Sequence, residues 1–266
     1  MPQLFGFYGN GYASWGDRID QTRAYTNLVW LDIGDADLEA KLARVRLNGQ
    51  TAIIAVSPWV FRLPSTEPAE NASALLGWWA MLAPDLKAVV TAFLIADEPF
   101  RQNDNHVHAP PATVHANLNF TARWLRYNTG KLICVAGAGN EFDKFGVPTD
   151  VDWIGMYRYS YNTHWTQLVY SFLNLKRQKR PEQKIVAIMD AYANAEHPID
   201  EKRIKAFNGW WQTLISWYSD DVVALCPFLY QTTTMEGRQV WGAESMPQVL
   251  LDLQSIKLKL VRPSSQ

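Results

Sequence analysis

The most regular feature of the chain is a succession of short apolar runs, each followed by polar or turn-forming residues. The runs NLVWLDIGD (27–35) and KIVAIMDAY (184–192) are typical. Their apolar residues are consecutive rather than alternating, as in parallel strands that are buried on both faces. Eight such runs occur, at residues 4–10, 27–35, 51–59, 89–99, 131–141, 151–159, 184–192 and 222–231.

Helical patterns separate these runs. Residues 35–49 place Leu38, Leu42 and Val45 on one face and close at Gly49. Asp200 is placed to cap a helix over residues 199–218. Further helices are predicted over residues 70–88 with a break near Pro84, 112–129, 163–179 and 246–261.

Strand–helix alternation repeated eight times predicts a (β/α)8 TIM barrel, an α/β fold, as a single domain over residues 1–266. Its fifth helix is expected to be short or missing, because only EFDKFGVPTD separates the fifth and sixth runs. A doubly wound open sheet is the alternative. However, GFYGNG after the first run lacks the G-x-G-x-x-G spacing of a phosphate-binding turn.

Composition narrows the class of protein. Hydrophobic residues make up 48% of the 266 residues, which is enough for a sizeable core. The formal net charge of −1 argues against nucleic acid or an anionic membrane as a partner. No apolar run approaches the roughly 20 residues that a membrane span needs. We expect a monomer that requires no cofactor.

The first ten residues, MPQLFGFYGN, lack the basic head and long apolar stretch of a signal peptide. We therefore expect an intracellular protein, with a phage-borne protein or a processed secreted protein as the alternatives. Cys134 and Cys226 both lie inside apolar runs and are expected to be buried free thiols.

Aromatic residues are abundant, with 12 tryptophans and 11 tyrosines. Most are expected to pack in the core or between helices. The rest are available to stack on the apolar faces of sugars, bases or cations.

In a (β/α)8 barrel the active site lies at the C-terminal ends of the strands, so the residues that end each run are the candidates for chemistry. The run AFLIADEPF ends in two adjacent carboxylates, Asp97 and Glu98, and the seventh run ends in Asp190. The candidate substrate-binding residues at run ends or in the following loops are Tyr8, Asn10, Asp32, Trp59, Tyr157, Tyr192, Tyr230, Gln231 and Trp241.

AFLIADEPF resembles the fourth strand of barrel glycoside hydrolases of the clan A type. VDWIGMYRY and CPFLYQ are similar to the sixth and eighth strands of these enzymes. The resemblance implies a (β/α)8 barrel that acts on a carbohydrate. It also implies that Glu98 is the general acid/base and that aromatic residues at the sixth and eighth strand tips face the sugar.

The sequence departs from this pattern at two positions. Asparagine usually precedes the acid/base glutamate, where this chain has Asp97. The seventh strand usually ends in a nucleophilic glutamate, where this chain has Asp190. The first departure affects the contact to the sugar 2-hydroxyl, and the second affects the retaining mechanism.

The residues support the same chemistry without the family. Glycoside hydrolysis needs one protonated and one ionised carboxyl group. Like charge from Asp97 and burial are expected to raise the pKa of Glu98, so that Glu98 donates the proton. Asp190 is then the nucleophile or the base for water. Structural roles compete with both assignments: Glu98 precedes a helix-starting proline, and Asp190 is suited to holding loops.

Two other functions remain open. Substrate-assisted hexosaminidases use adjacent acids at the fourth strand, in which case Asp97 and Glu98 act together and Asp190 is a spectator. A non-catalytic sugar-binding barrel would explain the missing glutamate on the seventh strand.

A metal site is not expected. The D-x-H-x-H run of Asp104, His106 and His108 follows the fourth strand, whereas metal-dependent barrel hydrolases carry H-x-H at the first. We interpret this segment as a solvent-exposed loop.

Overall fold

The computed structural model describes residues 1–61, 71–101, 109–235 and 237–261. In chain order the strands are β1 (Leu4–Phe5), β2 (Leu28–Asp32), β3 (Thr51–Ala55), β4 (Val90–Asp97), β5 (Leu132–Ala138), β6 (Trp153–Tyr157), β7 (Lys184–Ile188), β8 (Ala193–Asn194), β9 (Val222–Leu225), β10 (Thr233–Met235) and β11 (Arg238–Trp241).

Eight of these strands form a parallel sheet in the order β1-β9-β7-β6-β5-β4-β3-β2. Each of the eight apolar runs contains one of them, so the predicted (β/α)8 barrel is confirmed. The α-helices of the described residues are Ile19–Thr22, Leu38–Leu47, Ser57–Val60, Ala72–Met81, Pro84–Val89, Pro111–Thr129, Gly139–Phe145, Trp165–Gln178, Glu201–Trp217 and Pro247–Leu260, with 3-10 turns at Ala13–Trp15 and Ala243–Ser245.

The predicted helices are present, and their ends follow the expected signals. Gly49, just after Leu38–Leu47, has a φ of 66°, and the Asp200 side chain caps the next-to-last helix by accepting a hydrogen bond from the Arg203 N–H. The helix between β5 and β6 is short, as expected, because it ends at Phe145 before Gly146 and Pro148.

Alternation along each strand divides the apolar residues into two clusters. In β2, Leu28 and Trp30 point into the barrel, whereas Val29 and Leu31 pack against the surrounding helices. Both predicted thiols, Cys134 and Cys226, are free and buried. The strands are therefore buried on both faces, which explains their continuous apolar sequences.

Asn27 joins the two ends of the sheet. Its side-chain oxygen accepts a hydrogen bond from the Phe5 N–H (2.7 Å), and its own N–H donates to the Phe5 carbonyl (3.0 Å). Its side-chain amide also donates to the Gln3 carbonyl (2.9 Å). Because β1 is only two residues long, these bonds supply much of its attachment to β2.

A second, antiparallel sheet of β10, β11 and β8 lies at the C-terminal mouth of the barrel. The sequence analysis did not predict it. Its strands are two to four residues long, too short to show a periodic pattern.

Replacing Asn27 with alanine should lower the free energy of unfolding by about 2–3 kcal/mol, because the buried Phe5 N–H loses its partner. Urea unfolding measures this change. Asn48→Ala is the matched control, because the partly exposed Asn48 side chain donates to the side chains of Asp20 and Gln50 and to no backbone group of the described residues. This substitution should cost less than about 1 kcal/mol. Equal losses in both variants would contradict the role of Asn27 in closing the barrel.

Candidate active site

Two adjoining cavities occupy the C-terminal mouth of the barrel, with volumes of about 440 and 480 Å³. Glu98, Arg101, Tyr157, Tyr159 and Tyr161 line both cavities. These residues therefore form the shared wall of one larger cleft. The remaining lining residues that matter below are Tyr8, Trp15, Asp97, Tyr192 and Phe228 in the first cavity, and Asn140, Glu141, Lys144 and Arg158 in the second.

Glu98 lies directly after β4, and the parallel ladder with β5 fixes its backbone, because its N–H donates to the Ala136 carbonyl (2.9 Å). Its φ is +48°, the left-handed region that a residue with a side chain adopts at a cost. Such strain concentrates at functional sites.

The Glu98 carboxylate is held by two donors. The Arg101 guanidinium donates to both carboxylate oxygens, at 3.1 and 2.9 Å, and the Tyr157 hydroxyl donates to one of them. The Glu98 side chain is 25% exposed and the Arg101 side chain 65% exposed, so the pair faces the cleft. This geometry orients the carboxylate and leaves it accessible to a ligand.

Asp97 lies beside Glu98 and accepts a hydrogen bond from the Tyr8 hydroxyl (2.8 Å). Burial raises the pKa of Asp97 to about 6, with a further increase from the charge of Glu98, while the Tyr8 bond opposes the shift. Four of the residues predicted for the site line the first cavity together: Tyr8, Asp97, Glu98 and Tyr157.

Aromatic rings surround the two carboxylates. Phe228 lies among them, with ring centroids 5.7 Å from Tyr8, 5.5 Å from Tyr192 and 6.0 Å from Tyr159. Trp15 packs 5.9 Å from Phe228. The sheet of β8, β10 and β11 adds Asn194, Met235, Arg238 and Val240 to the wall of the first cavity.

Asp190 is placed differently from the expectation. Its side chain is fully buried and accepts hydrogen bonds from the backbone N–H groups of Ser160 (2.9 Å) and Tyr192 (3.1 Å). It is not part of the lining of either cavity. Burial raises the pKa of Asp190, and these backbone bonds oppose the shift. These bonds indicate that Asp190 holds two loops in place. Catalysis by Asp190 stays a prediction, and the surroundings of its side chain do not favour it.

The remaining predicted substrate-binding residues lie outside the lining of both cavities. Asn10 is buried and bonds to Thr22 and to the Trp30 N–H, and Gln231 is buried and donates to the Gly9 carbonyl. These two amides fix loops. Tyr230 packs on Phe7 in the core between strands and helices.

Asp32, Trp59 and Trp241 are partly buried in other surroundings. Asp32 accepts a hydrogen bond from the Gly34 N–H (2.7 Å), and burial raises its pKa. Trp59 packs against the outer core, and Trp241 pairs with Ala193 in the mouth sheet. The structure thus brings Tyr8, Tyr157 and Tyr192 to the cleft but not these three residues.

Two residues of the cleft, Arg101 and Glu141, are not among the site residues predicted from the sequence. Arg101 follows Glu98 by three residues just where Pro99 starts a helical turn, and residues at this spacing meet on a helix. Glu141 ends the fifth apolar run beside Asn140, so strand-end position was available as a signal.

Within the described ranges, no group of three or more His, Cys, Asp and Glu side chains is arranged to hold a metal ion. The Asp104, His106 and His108 run lies outside the described residues. Among the helices that the structure describes, none combines the length and apolarity needed to cross a membrane.

Comparison with known proteins rests on structure. No protein-family model matches the chain, and no curated protein matches its sequence. A GH113 β-1,4-mannanase is similar with a TM-score of 0.60 and 11% identity, covering 97% of this chain and 98% of the mannanase chain. Xylanase 10B from Thermotoga maritima is similar with a TM-score of 0.58 and 11% identity, and the match covers 96% of each chain.

A β-1,3-glucanosyltransferase from Rhizomucor miehei, an active-site mutant in complex with laminaritriose, gives a TM-score of 0.58 and 12% identity over 85% of this chain and 86% of that chain. This chain has the fold of barrel glycoside hydrolases. The resemblance noted in the sequence is therefore confirmed at the level of the fold, and at these identities the similarity carries no residue roles.

Replacing Asp190 with alanine should lower the free energy of unfolding by about 3 kcal/mol or more, because two backbone N–H groups lose a charged acceptor. Denaturant unfolding measures the loss. Asp200→Ala removes an exposed helix cap and should cost only about 1 kcal/mol. If the two variants were equally stable, Asp190 would again be a candidate catalytic group.

Glycine at position 98 should be more stable than alanine at position 98 by about 1 kcal/mol, because glycine adopts positive φ without strain. Both variants lose the carboxylate, so the difference in their free energies of unfolding reports the strain at positive φ, reduced by the larger unfolded-state entropy of glycine. Ala40→Gly, in the exposed middle of Leu38–Leu47, should show the opposite sign. A less stable glycine at position 98 would contradict the strain.

Proposed function

We propose that this protein is a glycoside hydrolase that cleaves an oligo- or polysaccharide bound across the mouth of the barrel, with Glu98 as general acid/base. One observation carries the proposal: Glu98 is held in a strained conformation at the tip of β4, with its carboxylate accessible in a cleft walled by aromatic rings.

The lining of the cleft suits a carbohydrate. Tyr8, Trp15, Tyr192 and Phe228 present apolar ring surfaces, onto which the C–H faces of a sugar stack. Hydroxyl, amide and guanidinium groups alternate with these rings and provide hydrogen bonds for sugar hydroxyls. A neutral sugar needs no net charge from the protein, in agreement with the formal charge of −1.

In the proposed reaction Glu98 donates a proton to the glycosidic oxygen as the C–O bond breaks. A water molecule then adds to the anomeric carbon and gives its proton to the Glu98 carboxylate, which restores the protonated acid. Tyr157 and Arg101 keep the Glu98 carboxylate in the cleft between these events. Asp97 is the second carboxyl group of the proposed site. It lines the first cavity together with Glu98 and accepts a hydrogen bond from the Tyr8 hydroxyl.

A second candidate is substrate-assisted hydrolysis of an N-acetylhexosaminide, and it is favoured by the adjacent Asp97. In that mechanism the acetamido group of the substrate is the nucleophile and Asp97 orients it, while Glu98 donates the proton. No carboxylate from β7 is then needed, which agrees with the buried position of Asp190. The two candidates differ in substrate but share Glu98.

The test is a panel of mannan, xylan, β-1,3-glucan and chitin oligosaccharides, with release of reducing ends as the assay. We expect hydrolysis of at least one substrate, and Glu98→Gln should lower kcat about 100-fold or more while leaving the Kd of the oligosaccharide within a few-fold. Hydrolysis of chitin oligosaccharides alone selects the substrate-assisted mechanism.

Glu39→Gln is the matched control, since Glu39 is exposed on the helix Leu38–Leu47 outside the lining of both cavities, and it should retain full activity. Binding of an oligosaccharide without turnover, unchanged by Glu98→Gln, would overturn the enzyme and support a sugar-binding barrel. Absence of both binding and turnover across the panel would overturn both.

A further inference from the structure

Arg101 connects two acidic residues of the cleft. Its guanidinium donates to both oxygens of Glu98, and its backbone N–H donates to Glu141 Oε1 at 3.0 Å. Glu98 comes from the end of β4 and Glu141 from the short helix Gly139–Phe145 after β5. The position of the cation that orients Glu98 therefore depends on a residue of the neighbouring β/α unit.

The surroundings of Glu141 disfavour its charged form. The residue is 8% exposed, and its Oε2 atom has no hydrogen-bond partner among the described residues. Burial raises the pKa of Glu141 to about 7, and the charge of Glu98 adds to the shift, whereas the backbone N–H groups of Arg101 and Ala138 oppose it. Among the described residues, the charged and titratable groups that face this part of the cleft are Asp97, Glu98 and Arg101 from the β4 unit, Lys144 on the same helix as Glu141, and Tyr157, Arg158, Tyr159 and Tyr161 at and after the end of β6.

We propose that Glu141 is a positioning residue of the Glu98 site: uncharged, it anchors the backbone of Arg101, and ionised, it competes with Glu98 for the Arg101 guanidinium. The inference rests on the proposed function, because it concerns the control of that same carboxylate. It assigns to Glu141 no contact with the substrate.

The competition follows from charge and exposure. While Glu141 is neutral, the Arg101 guanidinium donates to Glu98, as in the structure. Ionisation of Glu141 places a second negative charge near the same cation, and the two charges attract each other. The Arg101 side chain is 65% exposed, so its guanidinium has room to shift between the two carboxylates.

The first experiment is a pH profile of kcat/KM on a substrate found in the panel above. The wild-type value should fall as the pH rises through about 7, because Glu141 then ionises. Glu141→Gln keeps an oxygen acceptor for the Arg101 N–H but does not ionise, so its profile should lose the limb with a midpoint near pH 7 and keep the limbs that other groups set. Glu141→Ala lacks the acceptor and should lower kcat/KM about 10- to 100-fold at every pH.

Glu39→Gln should reproduce the wild-type profile, because Glu39 is exposed on a distant helix. A Glu141→Gln profile that keeps the descending limb at the same pH would overturn the inference. So would a Glu141→Ala variant with wild-type kcat/KM.

A second experiment needs no substrate. The ¹⁵N NMR signals of the Arg101 guanidinium, assigned by their loss in Arg101→Lys, should shift with a midpoint near pH 7 in the wild type and stay constant in Glu141→Gln. If this holds while no oligosaccharide is turned over, the proposed function fails and the Glu141–Arg101 coupling stands. If turnover is found but the signals do not respond to pH, the coupling fails and the proposed function stands.

Discussion

The architecture depends on closing an eight-stranded sheet whose first strand is two residues long. Asn27 solves this problem by acting as an extension of the backbone: its side-chain amide bonds to the Gln3 carbonyl and to the Phe5 N–H, and its own N–H bonds to the Phe5 carbonyl. These bonds join β1 to the start of β2, where Leu28 and Trp30 face the barrel interior. Tyr8, which holds Asp97, follows the same short strand, so closure of the barrel and placement of the carboxylates are linked.

The cleft places three carboxyl groups, those of Asp97, Glu98 and Glu141, around one arginine. Each carboxyl group is stabilised in a different way. Asp97 has the Tyr8 hydroxyl, Glu98 has the Arg101 guanidinium, and Glu141 has a backbone N–H. Burial raises the pKa values of Asp97 and Glu141 to about 6 and 7. Two carboxyl groups with raised pKa values therefore share one cavity system with Glu98, an arrangement that suits acid/base chemistry near neutral pH.

The sequence predicted the barrel well because continuous apolar runs and helix-capping residues are local signals that the parallel sheet preserves. It also placed Glu98, Asp97 and Tyr157 in the cleft, because each ends a strand. Strand-end position does not specify where a side chain points, and this is why Asp190, Asn10 and Gln231 were assigned to the site although they bond to loops. The role of Arg101 depends on contacts between β4 and β5 units, which no single stretch of sequence shows.

Trp15 gives the cleft an optical property. Of the tryptophans among the described residues, it is the one that lines either cavity, whereas Trp30 and Trp153 lie inside the barrel and Trp78, Trp165 and Trp210 pack around the outer core. A ligand that stacks in the first cavity changes the polarity around a single indole while these five keep their surroundings. The intrinsic fluorescence of the protein thus combines a constant signal from the scaffold with a variable one from the mouth, and occupancy of the cleft can be followed without a label.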